Sequence, residues 1–201
     1  MPRLPLLLCL ALALVGRAGG TSVIAPEFDD LVKQAHYVVR AVVVSATPEW
    51  RENAARPGER YIATRVEFDV REVIKGSPPR PLVLSTVGGR IGDAELRLAG
   101  VPDFVVGTEA VYFLHAGDTM VSPVVALMYG TYPVRRDPRT GREVMLRANG
   151  RMLFSERDVS LPLAQPSPEI SRNPQARPLT AAQFAARIRH SVDLAARAQQ
   201  N

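Results

Sequence analysis

Four arginines lie close together near one turn-forming stretch of this chain, residues 137–141. They are Arg135, Arg136, Arg139 and Arg142. Guanidinium groups bind carboxylates and phosphates through paired N–H donors, so such a cluster on a protruding turn could bind an anionic polymer. The commoner alternative is a solvated, charged turn that protects the edge of a sheet.

Trp50 is the single tryptophan of the chain and comes just before the polar stretch 51–60. An exposed tryptophan beside a loop is a common anchor for a ligand. A tryptophan at this place could equally cover the open end of a β-barrel. Trp50 therefore joins the four arginines as a candidate binding residue, with both roles left open.

Residues that carry catalysis or bind metals do not form a recognisable pattern. The histidines, His36, His115 and His190, are far apart, and none has a second ligand three or four residues away. We therefore predict no metal site and no cofactor. No serine lies in a G-x-S-x-G nucleophile motif. The glycine-rich segment 87–93 lacks the lysine of a phosphate-binding loop and predicts a turn.

The middle of the chain has the hydrophobic pattern of antiparallel strands. Residues 37–46, YVVRAVVVSA, suit a strand that is buried on much of both faces. In residues 61–70 apolar and charged side chains alternate, which places Val66 and Phe68 on a buried face and Glu67 on a wet face.

Adjacent Val73 and Ile74 break this alternation, as a β-bulge would. Asp137 before a proline and Gly141 at the end of the same stretch predict a hairpin turn. Further strands are predicted at residues 82–87, 95–98, 110–114, 121–127, 129–135 and 143–147.

Helices are predicted only near the two ends of the mature chain. The apolar spacing in residues 28–35 indicates a short helix. Residues 179–199 begin with a capping box of Thr180 and Gln183 and carry an apolar stripe. The stripe consists of Phe184, Ile188, Val192 and Ala195. We expect it to pack against the sheet.

The first twenty residues have the order of a secretory signal peptide. Arg3 precedes an apolar run, residues 4–15, and small residues follow it up to Gly20. Cys9, the single cysteine, lies inside this run, so the mature chain has no thiol. Attachment of a lipid to Cys9 is disfavoured because the bulky Leu8 precedes it.

Four segments follow from these patterns. They are a signal peptide at 1–20, a β-barrel domain at 21–150, a proline-rich tether at 151–178 and a C-terminal amphipathic helix at 179–199. A β-sandwich is the alternative to the barrel. The net charge of +5 falls to +3 when Arg3 and Arg17 leave with the signal peptide. So small an excess does not indicate a nucleic-acid partner.

Two stretches give the chain a family resemblance. AHYVVRAVVVSA at 35–46 and RVEFDVREVIKG at 65–76 resemble the opening strands of netrin-like modules, the OB-type barrels of tissue inhibitors of metalloproteinases. Similar domains occur in exported bacterial proteins. The resemblance implies a mainly β fold, a small antiparallel OB-like barrel with a short N-terminal and a C-terminal helix. It does not imply inhibition, because those inhibitors bind zinc through an N-terminal cysteine that the mature chain lacks.

The function expected from the sequence is that of a non-enzymatic binding or interaction module in the periplasm or outside the cell. Its expected partner is a protein or an anionic polymer of the envelope or extracellular space. After cleavage no membrane-spanning segment is expected. The alternative is a secreted hydrolase with a site built from loops.

We predict that N-terminal sequencing of the exported protein begins close to Thr21, because the small residues before it suit signal peptidase. A full-length chain held in the membrane, or a lipid on Cys9 detected by mass spectrometry, would contradict this prediction.

Overall fold

The computed structural model describes residues 24–117 and 121–200. The predicted signal peptide, residues 1–20, lies outside the described residues. Eight strands and three α-helices occur in the described part. They are α1 (Phe28–Gln34), β1 (Tyr37–Glu52), β2 (Arg60–Lys75), β3 (Leu82–Val87), β4 (Gly89–Ile91), β5 (Ala94–Leu96), β6 (Glu109–Leu114), β7 (Thr131–Arg136), β8 (Glu143–Met145), α2 (Pro168–Arg172) and α3 (Ala181–Ala198).

Six of the strands form one antiparallel sheet in the order β3-β2-β1-β6-β7-β8, and β4 and β5 form a separate hairpin. The predicted mainly β fold with helices near its ends is therefore confirmed. The end strands of the order, β3 and β8, do not pair with each other in the described part of the chain. An OB-like barrel closed by hydrogen bonds stays a prediction.

Strand β1 is buried on both faces. Consecutive side chains of a strand point in opposite directions, so its residues belong to two different apolar clusters. Val38 belongs to an apolar cluster with the helices. Val39, Ala41 and Val43 belong to a second cluster on the other face. All four are fully buried. The β-branched run therefore forms the centre of the fold.

The alternation predicted for the second long strand is confirmed. Val66 and Phe68 are 1% and 6% exposed, whereas Glu67 forms an ion pair with Arg65 at the surface. The predicted bulge is also present, since Val38 pairs with Lys75 and Val39 pairs with Val73, which leaves Ile74 as the extra residue. Ile74 consequently faces the helical cluster.

Helix α3 docks on the sheet, as the sequence predicts, through Phe184, Ile188 and the partly buried Val192. Ala195, the last residue of the predicted stripe, is exposed. Its N-cap, Thr180, accepts a hydrogen bond from the backbone of Gln183 in a complete capping box. The Phe184 ring lies 6.2 Å from Phe113 and 5.0 Å from Tyr132, measured between centroids. Among the described residues no helix is long and apolar enough to cross a membrane.

The strand predicted at residues 121–127 is wrong. Only Val124 forms a bridge, to Leu114, and the chain then turns because Ala126 and Leu127 have positive φ angles of 52° and 55°. A 3-10 helix follows at Leu127–Gly130. A valine-rich composition favours a strand, but these left-handed residues end the extended conformation.

The predicted tether is fastened to the sheet by Arg147, which is 2% exposed. Its guanidinium donates to the carbonyl oxygens of Leu161, Pro162 and Gln165, over 2.8 Å in the case of Gln165. The tether also contains a 3-10 helix at Glu156–Asp158 and α2. It is therefore an ordered part of the domain.

We predict that Phe68→Ala lowers the free energy of unfolding by about 3 to 5 kcal/mol, because it removes a buried ring that contacts two other aromatic rings. Glu67→Ala, the matched control on the neighbouring position, should cost well under ~1 kcal/mol, since its ion pair is exposed. Urea unfolding measures both. Equal, small losses at the two positions would contradict the assigned strand phase.

On α3, we predict that Phe184→Ala costs about 3 to 5 kcal/mol, because Phe184 is fully buried in the helical cluster. Leu194→Ala is the control on the same helix. Its side chain is 51% exposed, so its effect should stay within about 0.5 kcal/mol. Thermal unfolding reports both variants. If Phe184→Ala melts like the parent protein, the docking of α3 is wrong.

Candidate functional site

The arginine-rich stretch forms the turn between β7 and β8. Arg136 pairs with Glu143 in the ladder, and the Gly141 N–H donates to the Asp137 carbonyl over 2.8 Å. The Asp137 carboxylate accepts the Arg139 N–H and the Thr140 hydroxyl, each at 2.9 Å. These two hydrogen bonds hold the pKa of Asp137 below its ordinary value, and the bond from the Arg139 backbone contributes more than the bond from Thr140. This carboxylate is therefore part of the turn.

The other carboxylate of the hairpin is also engaged. Glu143 Oε1 accepts a hydrogen bond from Arg40 Nη2 at 2.8 Å. Arg40 lies on β1 and binds Glu109 on β6 as well. One arginine from the centre of the sheet thus holds two carboxylates, one from β6 and one from β8.

The four arginines predicted as binding residues are all exposed. Within the ranges that the structure describes, none of them lies within 4.0 Å of a carboxylate. Of their four guanidinium groups, only that of Arg136 has a hydrogen bond among the described residues, to the Gly141 carbonyl at 3.0 Å. Eight arginines elsewhere do form ion pairs: Arg40, Arg51, Arg56, Arg65, Arg71, Arg97, Arg187 and Arg189. The hairpin therefore presents four guanidinium groups that form no close ion pair among the described residues, although the charge of Arg139 does act on Asp137.

A cleft of about 430 Å³ separates the hairpin turn from residues 174–178. Arg139 and Arg142 line it from the hairpin, and Arg177 lines it from the tether. Met152 and Phe154 add apolar surface. Arg177 was missed by sequence reasoning, because only the course of the tether brings it to the turn.

Arg135 and Arg136 are not among the residues that line this cleft. They are neighbours on β7 and so project from opposite faces of the sheet. The basic patch, defined as Arg135, Arg136, Arg139, Arg142 and Arg177, therefore extends around the hairpin.

Trp50 lies on the other long hairpin, where β1 pairs with β2. Its side chain is 42% exposed, and the Arg60 guanidinium lies 5.3 Å from the ring centroid. This distance is typical of a cation–π contact. Trp50 does not line the cleft beside the arginines. The candidate residues thus fall into two separate surfaces.

The turn predicted for the glycine-rich segment 87–93 is confirmed only in part, because Gly89–Ile91 forms strand β4. Gly88 joins β3 to β4, and residues 92–93 form the turn between β4 and β5. Gly88 and Gly89 have positive φ angles of 114° and 137°, and a Cβ at Gly89 would lie 2.6 Å from Thr64 Oγ1. The Thr64 hydroxyl also donates to the Gly88 carbonyl. The glycines allow the β4–β5 hairpin to approach the long strands closely.

Hydroxyl groups near the helices bind carboxylates. Ser191 donates to Asp29 over 2.6 Å, and Ser160 donates to Glu27 over 2.7 Å. In the described part of the chain no serine hydroxyl bonds to a histidine, and no group of three His, Cys, Asp or Glu is placed to hold a metal ion.

Two of the three histidines come together, which the sequence did not indicate. The rings of His36 and His115 lie 6.5 Å apart, measured between centroids. Burial lowers the pKa of His115, and the neighbouring His36 lowers it further. The cause is strand pairing. Strand β1 begins just after His36, β6 ends just before His115, and Tyr37 lies opposite Leu114.

The basic patch is the surface on which most of the predicted site residues converge. It combines exposed guanidinium groups with a cleft and apolar surface. Comparison with known proteins found no family model that matches this chain and no curated protein that matches it.

Proposed function

We propose that this protein is an exported, non-enzymatic binding module that holds an anionic polymer at the basic patch. The observation that carries the proposal is that the guanidinium groups of the β7–β8 hairpin form no ion pair among the described residues, while Asp137 is engaged inside the turn and Glu143 is engaged by Arg40. A ligand that brings negative charge finds donors that the protein itself does not use.

The weakness of each exposed contact favours a polymer. One ion pair at the surface contributes only about 0.2–1 kcal/mol, because water screens both charges. A small anion could contact few of these side chains and would be held weakly. A chain with repeated carboxylates, phosphates or sulfates can contact several arginines at once, and linked contacts raise the effective concentration of the next one.

The arrangement of the patch favours a flexible chain over a flat surface. Arg135 and Arg136 project from opposite faces of β7, and Arg139 and Arg142 border the cleft. A linear polyanion can follow the hairpin from one face to the other. Met152 and Phe154 offer contact to the apolar parts of such a chain.

An OB-type, netrin-like barrel is part of the proposal. It is supported by β1, a 16-residue strand that pairs with β2 on one edge and with β6 on the other. Three register shifts between β1 and β2 support it too, because bulges bend strands in the way that barrel corners require. OB barrels are partly open sheets, so an unpaired edge is compatible with them.

The test uses the mature protein, residues 21–201, and heparin as the polyanionic probe. We expect R135Q/R136Q/R139Q/R142Q to bind heparin much more weakly than the parent chain. The slope of log K against log salt should become shallower by about one for each arginine that no longer binds an anionic group. Affinity measured by calorimetry at several salt concentrations gives both quantities.

The matched control is R56Q/R65Q/R71Q/R97Q, which removes the same charge from arginines that already have ion-pair partners. Circular dichroism establishes that both variants fold. Equal losses of affinity in the two variants would mean that net charge alone governs binding and would contradict the proposed site. Release of shortened chains from a polyanion would show an enzyme instead.

A further inference from the structure

The paired strands β1 and β6 place two imidazoles at the same end of the sheet. Tyr37 lies opposite Leu114 in the antiparallel ladder, so one residue further His36 faces His115. The backbone N–H of His36 donates to the Leu114 carbonyl over 2.8 Å, and the backbone N–H of His115 donates to the Pro123 carbonyl over 2.9 Å. The backbone of both histidines is therefore fixed by the sheet.

The separation of the rings is close to what a shared metal ion requires. Zinc binds imidazole nitrogen at about 2.0–2.1 Å, which puts the centroids of two rings on one tetrahedral ion about 5 Å apart. The observed separation is 6.5 Å. His36 is exposed and His115 is half-buried. Binding of one ion by both rings therefore requires the side chains to rotate toward each other by about 1.5 Å.

A shallow, open depression of about 320 Å³ in the surface adjoins the pair. His36 and His115 line it together with the buried Ser122 and with Ala126 and Leu127. Ala126 and Leu127 are the two residues other than glycine with positive φ in the described chain. Backbone conformations of this kind are strained and are found preferentially at ligand-binding sites. The strained turn thus borders the two imidazoles.

From this geometry we propose that His36 and His115 together bind one divalent transition-metal ion of the class that prefers imidazole, such as Zn²⁺. Two protein ligands leave the remaining positions of the ion to water. The site is thus an open and exchangeable one, unlike the closed four-ligand sites that hold structural zinc. It is independent of the basic patch and of what that patch binds.

The test is a titration of the mature chain, ¹⁵N-labelled and free of any affinity tag, with ZnCl₂ at neutral pH. The chain contains three histidines, so the imidazole nitrogen spectrum reports each of them, and the variants H36Q, H115Q and H190Q assign the signals. We expect the signals of His36 and His115 to shift together and to saturate at one Zn²⁺ per chain. The His190 signals should not move.

Calorimetry on the same variants is the second measurement. H36Q and H115Q should each lose the one-site binding heat, whereas H190Q, the matched control, should retain it. Absence of shifts at His36 and His115 in the parent chain would overturn the proposal, even if a variant failed to fold. Retained binding in H36Q, or equal shifts at His190, would overturn it too.

Discussion

Burial of β1 on both faces is the constraint on which the rest of the structure depends. A strand in this position needs an apolar cover on each side, because its side chains alternate between the two faces. On one face α1 and α3 supply the cover around Val38. On the other face Val39 packs in a cluster with same-face side chains of the neighbouring strands, among them Tyr112, and with Val124 from outside the strands. The helices near the two ends of the chain are therefore required parts of the core.

The position of α3 depends in turn on a buried charge. Arg147 has no carboxylate within 4.0 Å among the described residues, and burial lowers the pKa of its guanidinium. A buried cation without partners would be strongly destabilising. Carbonyl oxygens of the proline-rich segment accept its hydrogen bonds instead. Arg147 thereby fixes the path that leads the chain back to Leu179, whose backbone bonds to Met145 and Leu153.

Features determined by local chemistry could be predicted from the sequence, and features determined by strand register could not. The hairpin turn follows from Asp137 and Gly141 alone, and the capping box of α3 from Thr180 and Gln183. The meeting of His36 with His115 depends on pairing between residues 79 positions apart. Periodicity shows which face of a strand is buried, but not which strand lies beside it.

The same distinction explains why the arginines of the basic patch form no ion pairs among the described residues. Asp137 is the carboxylate inside the turn, and the turn itself requires its oxygens for the Arg139 N–H and the Thr140 hydroxyl. Glu143 is drawn to Arg40 by the order of the strands in the sheet. The hydrogen bonds of the turn thus engage the carboxylate of Asp137, and the order of the strands brings Arg40 to the carboxylate of Glu143. The arginines left beside them stay available for charge that comes from outside the chain.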